Sequence, residues 1–264
     1  TKGTGAANVI KRFGDTLISG NTGGIGIALY NGALYVESKG RILRYPLKSG
    51  EIVPNTTPEV IVSELPTDGD HPQHAFRIDP KGNLFVNLGS ASNSCQEKNR
   101  KRNSPGHNPC TELETRGGIW RYDANKTGQK FSPAERYATG IRNGEALALD
   151  TAGRLFAIQH GRDQIYENWP KLYSSPQGQN LPAEVAFQVE QGKDYGWPEC
   201  YYDGAQKKLV LAPEYGGDGG KKVGICSNKQ GPIAVFPAHW GPNDLLMYTG
   251  KAFPTPYREG MYIA

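Results

Sequence analysis

Gly69-Asp70-His71-Pro72-Gln73-His74-Ala75-Phe76-Arg77-Ile78-Asp79-Pro80-Lys81-Gly82-Asn83-Leu84-Phe85-Val86 is the stretch on which the fold turns. From Phe76 onward apolar and polar residues alternate, break at Asp79-Pro80-Lys81-Gly82, and give way to the Leu-aromatic-small run Leu84-Phe85-Val86. A period of two marks a β-strand, and a Gly-containing break between two such runs marks a hairpin. The pattern recurs in Ile27-Ala28-Leu29-Tyr30-Asn31-Gly32-Ala33-Leu34-Tyr35-Val36 and in Leu147-Ala148-Leu149-Asp150-Thr151-Ala152-Gly153-Arg154-Leu155-Phe156-Ala157. Further strands follow: Arg41-Ile42-Leu43-Arg44-Tyr45 after the first hairpin and Gly118-Ile119-Trp120-Arg121-Tyr122 after the second.

Hairpin added to hairpin makes a four-stranded antiparallel sheet, and such sheets repeated along a chain make a β-propeller. The expected fold class is therefore all-β, with three clear blades and a fourth from Pro213 to the C-terminus, about four blades in all. The turn glycines Gly32, Gly82 and Gly153 stand 50 and 71 residues apart. These intervals are long and uneven, and the extra length falls in loops 89–117 and 161–194. Loops of that size are usually functional. Residues 1–264 read as a single β-propeller domain. The last residues, Gly260-Met261-Tyr262-Ile263-Ala264, form an apolar strand-like run, so the domain is expected to be incomplete there. Open sheet edges need a cover, and the remaining part of the same chain is the expected partner.

Composition agrees with an all-β chain. Of 264 residues, 34 are Gly, 19 Pro and 14 Tyr, and 37% are hydrophobic. Gly and Pro together make up about a fifth, which suits short strands and many turns rather than a helical bundle. A net charge of +4 with acids and bases interspersed is too weak to imply a nucleic-acid partner. The one compact basic cluster, Lys98, Arg100, Lys101 and Arg102, reads as a solvated loop. No apolar run is long enough for a membrane span. Cys95, Cys110, Cys200 and Cys226 lack Cys-x-x-Cys spacing, and each neighbouring pair brackets a Gly/Pro/Asn-rich loop. Of three connectivities, Cys95–Cys110 with Cys200–Cys226 is favoured. Each closure would contribute roughly 3 kcal/mol in the chain-entropy model. Disulfides imply an oxidising compartment, periplasmic or secreted. Asn55-Thr56-Thr57 and Asn125-Lys126-Thr127 fit the glycosylation pattern but read as ordinary surface turns.

Polar motifs gather where strands begin or end. Asp70-His71 with His74 precedes one hairpin, and Arg142-Asn143 precedes another. Gln159-His160-Gly161-Arg162-Asp163 follows the strand at Leu155–Ala157, and Pro237-Ala238-His239-Trp240-Gly241-Pro242-Asn243-Asp244 stands alone. Four of the five histidines lie in three of these loops. A histidine beside a carboxylate makes a base that works near neutral pH. Taken singly, each histidine reads as a structural hydrogen-bonder. Three imidazoles could also bind a metal such as zinc, although none has His-x-His or His-x-x-x-His spacing. Arg142, Asn143 and His239 pooled at one end look like a cradle for a multi-anionic ligand.

The order of these motifs, with Asp-Tyr-Gly-Trp-Pro-Glu-Cys-Tyr-Tyr-Asp at 194–203 between them, resembles the sorbosone/aldose sugar dehydrogenases. That broad family includes soluble quinoprotein glucose dehydrogenase. The resemblance runs from about Gly24 to the last residue. It implies a six-bladed β-propeller with pyrroloquinoline quinone (PQQ) and Ca²⁺ at the channel mouth. It implies catalytic roles for His71 as base, Asp70 as the carboxylate orienting it, and Arg142. Arg142, Asn143, His160 and His239 would face the cofactor. The main-chain carbonyls of Gly161 and Arg162 would reach the metal, and His74 and Trp240 would wall the substrate pocket. The family's further basic residues for the cofactor's carboxylates lie beyond the point matching Ala264. The implied reaction oxidises an aldose or sorbosone by hydride transfer and passes electrons to an external acceptor such as a cytochrome c. Two other readings stand beside it: a non-catalytic secreted ligand-binding propeller, and a calcium-dependent lactonase-type hydrolase with carboxylates around its ion.

Overall fold

The computed structural model describes residues 3, 5–13, 23–54, 57–258 and 260–264. Of the two glycosylation patterns, Asn55-Thr56 lies outside the described residues, and Asn125 sits in a turn where its N–H donates to Asp123 Oδ1 at 2.8 Å.

The first sheet runs β1 (Gly23–Tyr30), β2 (Ala33–Ser38), β3 (Arg41–Pro46) and β4 (Glu59–Ser63), all antiparallel. The second is built from β5 (Phe76–Ile78), β6 (Asn83–Leu88), β7 (Gly118–Asp123) and β9 (Arg136–Thr139). Between β7 and β9, the short β8 (Gln129–Lys130) leaves this sheet and pairs in parallel with β4, covering the outer edge of the first. The third holds β10 (Ala146–Leu149), β11 (Leu155–Gln159), β12 (Glu184–Val189) and β15 (Ala234–Phe236). The hairpin β13 (Cys200–Asp203) and β14 (Lys208–Leu211) interrupts it, and β16 (Leu245–Met247) with β17 (Met261–Ile263) forms a last pair.

Two expectations need correction. Among the described residues, those from Pro213 onward do not make a fourth four-stranded sheet, because β15 is the outer strand of the third sheet and β16 and β17 alone follow it. Nor is 161–194 a plain loop: it contains α1 (Ile165–Asn168), α2 (Ser175–Asn180) and β12.

The turn chemistry is legible. Asn31 and Gly32 both have positive φ (46° and 71°), as a two-residue primed turn requires. In the longer turns one aspartate does the holding: Asp79 Oδ1 accepts from the N–H groups of Lys81 and Asn83, and Asp150 Oδ1 from those of Ala152 and Arg154.

Period-two alternation buries both faces of the inner strands. On β6, Leu84, Val86 and Leu88 join a core with Tyr35, Ile42, Ile61 and Trp120, while Phe85 faces a second core with Ile119, Leu147 and Phe187. On β11, Leu155 and Ala157 face that second core, and Phe156 and Ile158 face a third with Leu245. Each sheet is thus packed between its neighbours. The first strands lie side by side in sequence, β1 against β5, β5 against β10, and β10 against β16. Because neighbouring strands are antiparallel, the entries to β5, β10 and β16 and the exits of β6 and β11 all open at one end. The tight turns at 31–32, 79–82 and 150–153 lie at the other.

Candidate active-site cavity

At that end His71, Arg142, His160, Gly161, Asp163, Glu184, His239 and Gly241 line one cavity of about 210 Å³. They come from loops that precede β5, β10 and β16 or follow β11, and from the first residue of β12. The structure therefore brings together five of the expected site residues.

His71 is half-buried. Its Nδ1–H donates to the Ser90 carbonyl (2.8 Å), an oxygen that can only accept. This fixes the tautomer and leaves a lone pair on Nε2, which has no hydrogen-bond partner among the described residues. Burial, followed by the positive charge of Arg142, pushes the imidazole down to about 4. The ring is neutral at pH 7, as a base must be.

Asp70 does not orient that ring. Its carboxylate accepts from Arg100 (Nε–Oδ2 3.1 Å) and Asn99 (Nδ2–Oδ2 3.3 Å), and the Ser90 carbonyl takes the place assigned to it. Arg100 is correspondingly not a solvated loop cation. It lies between Asp70 and Asp163, at 3.0 and 3.2 Å.

Arg142 is buried, and all three of its nitrogens are engaged. Nε donates to Asn93 O (2.9 Å), Nη1 to Gly161 O (2.8 Å) and His160 O (3.3 Å), and Nη2 to Asn93 Oδ1 (3.0 Å) and Asp163 Oδ2 (3.2 Å). Burial lowers its pKa to about 10, which leaves it cationic at neutral pH. It acts first on the protein, bracing the carbonyls of the 160–161 turn. Its approach is set by Gly140, whose φ is +78° and where a Cβ would stand 2.3 Å from Asp194 Oδ1. Only glycine turns the chain there.

Asn143 is buried beside this group rather than in the cavity wall, accepting from Asn87 Nδ2 (3.2 Å) and donating to Glu145 Oε1 (2.9 Å). His160 and His239 each tie one nitrogen to a carbonyl, Pro242 O at 2.7 Å and Gly178 O at 3.0 Å. The Arg162 side chain turns away into a buried pair with Glu214 (2.5 Å). Its carbonyl accepts no hydrogen bond among the described residues.

Two expected pocket walls are elsewhere. His74, 1% exposed, is held between Glu37 Oε1 (2.6 Å) and Pro66 O (2.9 Å), a staple between the first sheet and the loop before β5. Trp240 is 70% exposed and does not line the cavity, although its neighbours His239 and Gly241 do.

Three contributors were given no role by the sequence reading, although Asp163 closes one of its motifs. Ser90 follows a strand end without any motif. Asp163 accepts from Arg100 and Arg142 and is held ionised by them against the effect of burial. Glu184 opens an otherwise apolar strand, and its Oε2 accepts from Gly161 N at 2.8 Å. Burial raises its pKa. An acid at the first position of a buried strand is the one clue that could have marked it.

The disulfides join Cys95 to Cys110 and Cys200 to Cys226. The first closes the loop that carries Asp70's partners. Among the described residues no group of three His, Cys, Asp or Glu side chains could hold a metal ion, so the imidazoles do not converge as a zinc site. No helix among the described residues is long and apolar enough to cross a membrane.

Solved structures of the same fold include the calcium structure of the Trichoderma reesei carbohydrate-active enzyme of family AA12. It has a TM-score of 0.66 and 20% identity over 88% of this chain and 60% of that one. The holo form of the pyranose dehydrogenase PQQ domain from Coprinopsis cinerea gives 0.70 and 17%, over 94% and 61%. The apo form of the soluble aldose sugar dehydrogenase from Escherichia coli gives 0.55 and 19%, over 88% and 61%. The chain spans about 60% of the length of these structures. Among curated proteins none matches. The TrAA12-like family model matches residues 6–264, and the chain belongs to that family.

Proposed function

We propose that this chain is part of a PQQ- and Ca²⁺-dependent sugar dehydrogenase in which His71 is the catalytic base. One observation carries the reading: an imidazole with its Nδ1–H tied to a carbonyl and its Nε2 lone pair free, neutral at pH 7, in a cavity shared with a buried arginine.

The residues fit the two groups. Calcium takes oxygen ligands, and the Gly161 and Arg162 carbonyls, with the Asp163 and Glu184 carboxylates nearby, supply oxygen. PQQ carries carboxylates, toward which Arg142 offers a buried positive charge, with His160 and His239 lining the same cavity. When bound, PQQ supplies a two-electron hydride acceptor and Ca²⁺ a Lewis acid. The protein's own part is proton handling and placement. His71 Nε2 takes the proton of the substrate hydroxyl as its carbon gives up hydride. The Ser90 carbonyl then stabilises the imidazolium through Nδ1–H. Arg142 braces the 160–161 carbonyls, and its charge favours developing negative charge in the cavity.

The wider reading is a six-bladed β-propeller of which this chain supplies part, supported by the side-by-side first strands. Aldoses or sorbosone are the substrates and an external acceptor, such as a cytochrome c, takes the electrons. Two disulfides support a periplasmic or secreted location. The zinc reading lacks three converging imidazoles among the described residues, and the buried Arg142 beside the free His71 nitrogen favours the dehydrogenase over the lactonase-type hydrolase.

The test is reconstitution. Chelator-stripped protein receives PQQ and Ca²⁺ separately and together, and dye reduction is followed with glucose, other aldoses and sorbosone. Sugar-dependent reduction that requires both additions supports the reading. PQQ binding with no turnover on any of them overturns the enzyme and leaves a binding propeller.

A further inference from the structure

One buried side chain, unmarked by any sequence pattern, joins the walls of the cavity. Asn93 lies in the stapled loop 89–117 and is fully buried. Its N–H donates to Asn99 Oδ1 (3.1 Å), and its carbonyl accepts from Arg142 Nε (2.9 Å) and Trp197 Nε1 (3.2 Å). Oδ1 accepts from Arg142 Nη2 (3.0 Å) and Asp163 N (2.8 Å), while Nδ2 donates to Asp163 O (2.9 Å). Two donors at one end of the amide and a carbonyl at the other admit only this orientation. Asp163 Oδ2 closes the ring by accepting from Arg142 Nη2 at 3.2 Å. One amide therefore ties the stapled loop of the second sheet to two segments of the third that meet at the end of the β10–β11 ladder, where His160 N–H donates to Asn143 O (3.0 Å): the loop entering β10 and the loop leaving β11.

We infer that Asn93 is a positioning residue of the His71 cavity, fixing Arg142 and the 160–163 turn relative to each other. It does not touch His71, and acts through the two groups it holds, Arg142 and Asp163. Buried hydrogen bonds to a charged donor are individually strong and collectively rigid, so losing the amide takes three bonds from Arg142 and Asp163 and loosens the bracing of both segments at once. The inference rests on the reading of His71 as the base. It makes the stapled loop part of the catalytic scaffold rather than a cover over it.

The charged and titratable groups facing His71 are Asp70, Arg100 and Arg142, with Asp163, Glu184, His160 and His239 sharing its cavity. The experiment is a histidine-selective ¹⁵N NMR titration of the full chain without added cofactor, in wild type and Asn93→Ala. Asn93→Ala keeps the main-chain bond to Arg142 Nε but removes the side-chain bonds to Arg142 Nη2 and to Asp163 N and O, so water enters the space of the amide beside Arg142. His71 should then titrate about one unit or more above its wild-type position. In protein reconstituted with PQQ and Ca²⁺, kcat should fall about a hundredfold, with the sugar KM changed by less than about threefold. A folded variant with unchanged His71 titration and unchanged kcat overturns the inference. Wild type that oxidises no sugar, alongside a variant whose His71 titration moves, supports the positioning role and removes the dehydrogenase reading instead. Should Asn93→Ala not fold, amide exchange in the wild type decides. The Asp163 N–H lies outside every helix and strand, and Asn93 should make it slow. Exchange at the rate of an unstructured amide overturns the inference.

Discussion

His71→Gln tests the neutral, buried imidazole independently of any cofactor. The folded protein holds this group at about 4, against an ordinary value of 6.5, through burial first and then the charges of Arg142 and Arg100. Above pH 6.5 the ring is neutral in both folded and unfolded chains, and the fold keeps its full stability. As pH falls from 6.5 to about 4, the unfolded chain binds a proton that the folded chain refuses, and stability is lost across that window. A gap of about 2.5 units at about 1.36 kcal/mol each gives a loss near 3 kcal/mol. Glutamine does not titrate, so the variant lacks this loss. Carboxylate protonation is common to both proteins and cancels in their difference. Urea unfolding followed by tryptophan fluorescence from pH 8 to 4 gives the two curves. The variant's curve should be flatter, with the difference growing by about 3 kcal/mol toward pH 4. Parallel curves would refute the burial argument. The same protonation state governs rate: in reconstituted wild type the acid limb of kcat/KM should fall well below pH 6.5, and a limb at 6.5 would mean an exposed, unperturbed base.

Two substitutions probe the surroundings of that ring. His74→Phe takes from the buried Glu37 carboxylate its side-chain partner and leaves it the Ile25 and Gly26 N–H groups, which costs about 1.5–3 kcal/mol. Thermal unfolding should show a drop of about 5 °C or more, whereas an unchanged Tm would mean that His74 is not the staple described. Gly89→Ala places a Cβ 2.6 Å from His71 Cβ and 2.9 Å from Asn143 Oδ1. The imidazole must move, and dye reduction by reconstituted enzyme should fall about a hundredfold, with far-UV circular dichroism unchanged; wild-type rates would show that its placement is not critical.

What could be read from the chain was what local chemistry dictates. Short apolar runs bounded by Asn-Gly or Asp-x-x-Gly turns located both strands of each leading hairpin, because inner strands buried on two faces are apolar at successive positions. β15 was misassigned for the opposite reason. It pairs with β12 across the whole β13–β14 excursion, and its three residues carry no mark of that distant partner. The cavity residues were legible where they stand next to a strand end, as His71, Arg142, His160 and His239 do, since antiparallel pairing sends those ends to one side. Asp70 and His74 misled because proximity in sequence was taken for proximity of function. In this Pro-containing loop Asp70 faces Arg100 and His74 faces Glu37. Ser90, Asn93, Asp163 and Glu184 act through single hydrogen bonds or buried amides, and no spacing rule announces them.

Strain explains why the loop beside His71 is stapled. Cys95, Arg100 and Asn103 in loop 89–117 all have positive φ, between 50° and 57°, as do Gln164 (59°) and His239 (62°) across the cavity. Each non-glycine residue held there costs on the order of 1–3 kcal/mol. The three in the stapled loop together cost about 3 kcal/mol or more. Closing the loop through Cys95–Cys110 contributes roughly 3 kcal/mol in the chain-entropy model, enough to offset the lower end of that cost. The loop's contacts account for the rest: Glu112 accepts from the N–H groups of Ala91 and Ser92, and Arg100 links Asp70 to Asp163. The loop is bent so that Ser90, Asn93 and Arg100 arrive together at His71, Arg142 and Asp163, so the strain is the cost of assembling a buried, charge-balanced site from loops of two sheets.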